Sequence, residues 1–189
     1  TRAFEAQTAP LTAADFLALA SVLGAQAGLG FYNNGALTGT SQTHKHLQWI
    51  PDASLRADDG FAAFSRKLHP EITGFAQFNA ELPWRHAFVS LATLDWSQPR
   101  AAGAALQAAF ATACAAVSLR ADADPMPPYN LLVSRDWLLV VPRRCEKWQD
   151  VSINALGYAG SLFVRDENQI ERLRAEGPLG VLAAVGYAR

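Results

Sequence analysis

Cysteine is scarce in this chain: Cys114 and Cys145 are the only two among 189 residues. Two cysteines make neither a disulfide framework nor a metal-binding spacing, and they fit a reducing, cytoplasmic setting. A surplus of charge of either sign is also missing. The 16 Lys and Arg against 17 Asp and Glu leave a net charge of −1. That excludes the electrostatic footprint of a duplex nucleic-acid binder, but a nucleotide needs only local positive charge. The start, Thr1-Arg2-Ala3-Phe4, lacks a methionine and a charged-then-apolar leader, so no signal peptide is expected. Long apolar runs are limited to Ala101–Leu119, which carries no charge between Arg100 and Arg120. It is mostly alanine, broken by Gln107, Thr112 and Ser118, so a packed helix is expected rather than a membrane span. There is no internal repeat.

What is present is a globular composition, with 50% hydrophobic and 17% charged residues. The length suits one domain with a real core. Thr12 reads as a helix N-cap with Asp15 three residues on, opening an amphipathic helix over 12–26. Leu29–Asn33 reads as a strand, Gly35–Gln42 as a loop and Thr43–Ile50 as a strand. Asp58 or Asp59 reads as the cap of a helix that buries Phe61, Phe64 and Leu68 and stops before Pro70. The stretch 71–82 has no clear pattern. Ala87–Leu91 reads as a strand, and Gln98–Leu119 as a long helix. Tyr129–Ser134 and Trp137–Pro142, turning at Arg135-Asp136, form the clearest hairpin. Ser152–Phe163 mixes glycine with apolar residues and fits no element. Glu167–Glu176 and Leu179–Val185 read as helices. Together these elements argue for an α+β fold with an antiparallel sheet and flanking helices.

The chemistry concentrates in Ser41-Gln42-Thr43-His44-Lys45-His46-Leu47-Gln48-Trp49-Ile50-Pro51. On a strand, His44, His46 and Gln48 share one face at roughly 6–7 Å intervals. Lys45 falls on the opposite face, where a solvated side chain is expected. Upstream, Gly35 and Gly39-Thr40-Ser41-Gln42 form a small, glycine-bearing loop suited to close approach of an anion. One histidine could attack a phosphorus atom while the other supports it, with loop N–H groups and the uncharged Gln48 holding phosphoryl oxygens. The pair alone leaves two other readings open. One is a metal site completed by Asp52, Asp58, Asp59 or His86. The other is a polar strand face without chemistry. His86 is expected to be a satisfied core or surface histidine, and His69 a structural residue at a helix end. The five tryptophans are expected mainly in the core.

Three segments carry a resemblance: Phe31-Tyr32-Asn33, Gly39-Thr40-Ser41-Gln42 and His44-Lys45-His46-Leu47-Gln48. They resemble the ATP adenylyltransferases, or diadenosine tetraphosphate phosphorylases, of the histidine-triad superfamily. The likeness extends to Thr1–Glu5, Pro10-Leu11-Thr12, Tyr129–Val133, Val141-Pro142-Arg143 and Ser152–Gly160, and so covers most of the chain. It implies a single histidine-triad-like domain over 1–189 that phosphorolyses diadenosine tetraphosphate to ADP and ATP through an adenylyl-histidine. It also implies His46 as the nucleophile, His44 as its support and Gln48 as the mark of the transferase branch. Asn33 matches a nucleotide-contacting asparagine. Gly39, Thr40, Ser41 and Gln42 match the phosphate loop, with Thr40 in place of the usual alanine. Asn130 matches a nucleotide contact from the hairpin, and Arg143 is a candidate phosphate contact, with a solvated surface arginine as the alternative. The implied partners are adenine nucleotides, dinucleoside polyphosphates and inorganic phosphate. No metal is required, although magnesium can accompany the polyphosphate. Family members carry a further N-terminal segment with early strands and a phosphate-binding lysine. The expectation is therefore a fragment, a processed chain, or a second polypeptide that supplies the missing part. Rival activities are phosphorolysis of a nucleotide sugar or adenosine phosphosulfate by the same histidine, nucleotide binding without catalysis, and metal-dependent hydrolysis.

Overall fold

The computed structural model describes residues 1–55, 61, 64–66, 68 and 73–189. The first helix, α1 (Ala13–Gln26), starts where the sequence places it. The Thr12 hydroxyl accepts the Asp15 N–H at 3.3 Å, and the Asp15 carboxylate accepts the Thr12 N–H at 2.8 Å. This reciprocal box satisfies two donors that the first turn leaves open. Phe16, Leu19, Ala20 and Leu23 form the buried stripe. There follow β1 (Leu29–Asn34), a 3-10 turn (Ala36–Thr38), β2 (Gln48–Ile50), a short α2 (Asp52–Leu55), β3 (Ala76–Gln77) and β4 (Ala87–Ser90). The second half comprises α3 (Pro99–Ala116), β5 (Tyr129–Val133), β6 (Trp137–Pro142), β7 (Lys147–Trp148), β8 (Val151–Ser152), a 3-10 helix (Ala155–Ala159), α4 (Glu167–Glu176) and α5 (Pro178–Val185).

Six strands form one sheet in the order β2-β1-β5-β6-β4-β3, antiparallel throughout. The sheet is covered on both faces. On one face α1 and α3 pack over Tyr32, Leu131, Val133, Leu138 and Val140. On the other, the 155–159 helix and α5 pack over Phe31, Leu132, Leu139 and Val141. Burial on both faces explains why β5 and β6 read as continuous apolar runs rather than as an alternating pattern. Their turn is the expected one, with Ser134 Oγ accepting the N–H groups of Asp136 (3.1 Å) and Trp137 (3.2 Å).

The alanine-rich α3 packs against α1 through Ala102, Gly103, Leu106, Ala109, Phe110 and Ala113. A Cβ on Gly103 would lie 3.0 Å from Leu17 Cα, so small residues here permit a close helix crossing. Among the described residues no helix is long and apolar enough to cross a membrane.

Three segments differ from the sequence expectation. The histidine strand is shorter: only Gln48–Ile50 of 43–50 joins the sheet. The glycine-bearing 152–163 stretch contains a 3-10 helix that Asn154 caps by accepting the Leu156 N–H at 3.0 Å. Within 71–82, Ala76–Gln77 adds a short edge strand beside β4. Phe64 and Leu68 are buried, and Phe61 packs on Trp137. The proposed caps Asp58 and Asp59, and also His69 and Pro70, lie outside the described residues.

Candidate active site

The histidine stretch is held by two different neighbours in succession. At its start it runs antiparallel to residues 5–7. Gln7 N–H donates to Thr43 O at 2.8 Å, Lys45 N–H donates to Glu5 O at 2.7 Å, and Ala6 faces His44. At its end, Gln48, Trp49 and Ile50 pair instead with Phe31, Gly30 and Leu29 of β1. His46 sits at the changeover. Its N–H is taken by a side chain, the Gln7 Oε1, at 2.9 Å. The switch of partner is why the stretch departs from a regular strand.

The ring of His46 is oriented by the chain itself. Its Nδ1 lies 2.9 Å from the carbonyl oxygen of His44. A carbonyl only accepts, so Nδ1 carries the proton, and the lone pair of the neutral ring is on Nε2. The support that His44 gives therefore comes from its main-chain oxygen. Its own ring turns to the N-terminal segment, with Nε2 3.1 Å from Ala3 O and 2.8 Å from Thr1 Oγ1, and it packs on Phe4.

Lys45 corrects the expectation of a solvated side chain. It does point away from the His46 face, but it is buried. Its Nζ donates to Glu5 at 2.7 Å, Pro10 O at 2.9 Å and Asp15 at 3.3 Å. Those three acceptors match the three donors of an ammonium group. They pin the histidine stretch to α1 and to the N-terminal segment.

Below His46 lies a buried polar chain. Gln7 Nε2 donates to Asn33 O at 2.7 Å. Asn33 Oδ1 accepts from Asn130 Nδ2 at 2.7 Å and from Ala155 N–H at 2.8 Å. The two asparagines face each other because β1 and β5 place them in register. Asn130 Nδ2 also donates to Thr38 O at 3.2 Å, and its Oδ1 accepts from Arg143 Nη1. The amide of Asn130 is thus engaged inside the protein, whereas Asn33 Nδ2 has no acceptor among the described residues.

Arg143 is neither a phosphate-facing nor a surface arginine. It is 1% exposed. Its guanidinium donates to the carbonyls of Ile153 (2.9 Å), Cys145 (2.8 Å), Glu146 (3.2 Å) and Val185 (3.3 Å), besides Asn130. Burial pushes its pKa below the ordinary arginine value. It ties β6 to the segment that leads into the 155–159 helix.

The loop before the histidines turns on two glycines with positive φ, Gly35 at 83° and Gly39 at 79°. A Cβ on Gly39 would also come within 2.7 Å of Ile153 O, so both conformation and space call for glycine there. Thr40, Ser41 and Gln42 line a cavity of about 480 Å³ together with Gln7, Thr8 and Gly35. Gln48 is exposed and lines a separate cavity, of about 620 Å³, between α1, Leu47 and Trp49. His46 lines neither of these two. The structure therefore gathers His46, Gln7, Asn33 and Asn130 into one hydrogen-bonded set; Gln7 also lines the cavity of the 39–42 loop, and Gln48 lines a separate one.

Sequence reasoning missed Gln7, which lies outside every motif; only its contacts reveal it. Of the two expectations for His86, a satisfied core or surface histidine, the structure shows the buried one. His86 Nδ1 donates to Trp84 O at 2.7 Å, and Nε2 accepts the Asn79 N–H at 3.0 Å. Both bonds need the neutral ring, and burial lowers its pKa from the ordinary 6.5. The unfolded chain therefore takes up the proton first as pH falls. The contribution of His86 is complete above about pH 6.5 and is lost as pH falls through the lower folded value, at up to about 1.4 kcal/mol per pH unit. Urea unfolding at pH 7.5 and 5.5 should show this loss in the wild type and less of it in His86→Gln. Equal losses would contradict the assignment. Among the described residues, no three His, Cys, Asp or Glu side chains are grouped to hold a metal ion.

Residues 80–188 match the family model of the ATP adenylyltransferase C-terminal domain, and residues 1–61 match that of the Ap4A phosphorylase N-terminal domain. The chain belongs to the ATP adenylyltransferase family. Among curated relatives, diadenosine 5',5'''-P1,P4-tetraphosphate phosphorylase 2 of Saccharomyces cerevisiae is 28% identical over 92% of this chain and 59% of its own length. Protein APA1 of the same yeast is 26% identical over 92% of this chain and 58% of its own. The chain thus spans just under three-fifths of the length of these relatives. The crystal structure of yeast Ap4A phosphorylase Apa2 superposes over the whole chain, and over 66% of its own, with a TM-score of 0.74 and 22% identity. The same enzyme in complex with Ap4A gives a TM-score of 0.71 at 22% identity. These superpositions show that the chain has the fold of the matched part of Apa2. In it, strands from both matched segments join one sheet through the β1–β5 pairing.

Proposed function

We propose that this chain phosphorolyses diadenosine tetraphosphate to ADP and ATP, and runs the reverse reaction, through an adenylyl-histidine on His46. The observation that carries this reading is the 2.9 Å contact of His46 Nδ1 with the His44 carbonyl oxygen, which assigns the proton to Nδ1. With Nδ1–H held by the His44 carbonyl, Nε2 presents a lone pair without any prior proton removal. In the first displacement Nε2 attacks the α-phosphorus, the N–P bond forms, the P–O bond to ATP breaks, and ATP leaves. In the second, a phosphate oxygen attacks the same phosphorus, the N–P bond breaks, and ADP leaves with His46 restored. Two in-line steps at one phosphorus retain its configuration.

The remaining roles belong to the same proposal. Residues 39–42 offer N–H groups and the Ser41 hydroxyl to the polyphosphate, as glycine-bearing loops do for anions. Gln48 donates to a phosphoryl oxygen from the far side. Asn33 offers its Nδ2 group to the nucleotide. Asn130 and Arg143 act from beneath as supports of Asn33, with no donor left for the ligand. Losing one oxyanion donor, as in Ser41→Ala, should lower kcat on the order of 10²-fold. Magnesium in this reading accompanies the polyphosphate and takes no protein ligand.

The direct test uses radiolabelled inorganic phosphate with unlabelled diadenosine tetraphosphate. The expected result is one labelled product, ADP, beside unlabelled ATP. Products formed without phosphate would instead mean hydrolysis. Faster turnover of adenosine phosphosulfate or a nucleotide sugar would move the substrate assignment and leave the histidine chemistry in place.

A further inference from the structure

Gln7 reaches His46 from a different part of the chain and makes a bond that no sheet ladder supplies. We infer that Gln7 is a positioning residue for the nucleophile, an inference that rests on the proposed role of His46. Gln7 is 3% exposed. Its amide bridges two elements: Oε1 accepts the His46 N–H at 2.9 Å, and Nε2 donates to Asn33 O at 2.7 Å. Its main chain makes two further bonds. The N–H donates to Thr43 O at 2.8 Å, and the carbonyl accepts the Tyr32 hydroxyl. Both polar ends of the side chain are therefore committed, and both partners are main-chain atoms of residues in the candidate site.

The bond matters because of where it falls. Residues 43–45 are held by residues 5–7, and residues 48–50 are held by β1. Between the two ladders the backbone of His46 relies on Gln7. The ring of His46 is in turn aligned by the carbonyl two residues back, so its direction depends on the local backbone conformation. Without the Gln7 amide the His46 N–H is left unpaired, and the changeover can relax toward either ladder. The Nδ1 contact then loosens and Nε2 leaves the line of attack. A displacement of about 1 Å at a reacting atom is enough to cost on the order of 10² in rate.

The test compares Gln7→Met, which keeps the length and volume of the side chain but neither hydrogen bond, with Tyr32→Phe. The latter removes a different anchor of the same N-terminal segment and leaves the Gln7 amide alone. Gln7→Met is expected to lower kcat for phosphorolysis by about 10²-fold with KM within about threefold of wild type. Tyr32→Phe is expected to keep kcat within about threefold. Should Gln7→Met not fold, Gln7→Asn, one methylene too short to span both partners, takes its place. A kcat within threefold of wild type, or equal losses in the two variants, overturns the inference.

A readout independent of turnover is the nitrogen spectrum of histidine-labelled protein. Wild-type His46 is expected as a single Nδ1–H tautomer, and the Gln7 variant as an exchanging mixture. The tautomer change in the Gln7 variant, together with a wild type that shows no turnover, would sink the proposed reaction and leave the positioning intact. An unchanged tautomer together with unchanged kcat in the variant would do the reverse.

Discussion

His46→Ala is expected to lower phosphorolysis of diadenosine tetraphosphate by at least about 10⁴-fold, measured as ADP release at saturating phosphate. The loss is large because the imidazole is the group that divides the reaction into two displacements. With alanine, phosphate must approach a polyanion directly, and only the loop and the binding contacts remain to help. Folding should be spared. His46 is half-buried, and its main-chain bond to Gln7 does not involve the ring. His44→Ala makes an instructive contrast. The group that orients His46 is the carbonyl of residue 44, which alanine retains. Its loss should be nearer tenfold, about what one hydrogen bond is worth. Equal collapse in both variants would mean that the His44 ring acts on the substrate itself.

Arg143→Met should be the most destabilising single change outside the apolar core, costing about 3–5 kcal/mol. The guanidinium serves four carbonyls and the Asn130 amide, and it lies 5.6 Å from the centre of the Tyr158 ring. Methionine fills much of the volume and satisfies none of those acceptors. In a chain of this size the loss corresponds to a fall in Tm of roughly 6–20 °C. Arg143→Lys should recover only part of it, because one ammonium cannot reach five acceptors arranged around a planar fork. A Tm within 2 °C of wild type, as for a surface arginine, would contradict the burial. A second consequence follows from the polar chain. Because Arg143 supports Asn130, and Asn130 supports Asn33, the variant should weaken nucleotide binding without touching the ligand.

These two residues also show what could be read from the sequence and what could not. Thr12 and Asp15 announced α1 because a capping box is local chemistry, complete within four residues. The β5–β6 hairpin was equally legible, with two apolar runs around a polar turn. The alanine-rich helix was recognised as a packing surface, and α1 supplies the partner that needs it. The α+β architecture followed from those elements. The histidine stretch was legible as a motif but not as a shape. Period two predicts one strand, and nothing local marks the point where residues 5–7 hand over to β1. Lys45 reads as a solvated lysine, and Arg143 as either a phosphate contact or a surface arginine, because their acceptors follow no local pattern. Lys45 finds Glu5, Pro10 and Asp15, and Arg143 finds carbonyls from 145 to 185. The 155–159 helix escaped notice because its role is to bring the Ala155 N–H to Asn33, a contact with no periodicity.

The central claim is that His46 becomes covalently adenylylated. Its most direct test is the intact mass of the protein after brief mixing with diadenosine tetraphosphate in the absence of phosphate. The account predicts a gain of one adenylyl group on the wild type and none on His46→Ala. It also predicts that added phosphate will discharge the adduct as ADP. A wild-type mass that never changes, or an adduct that persists when His46 is alanine, would contradict it.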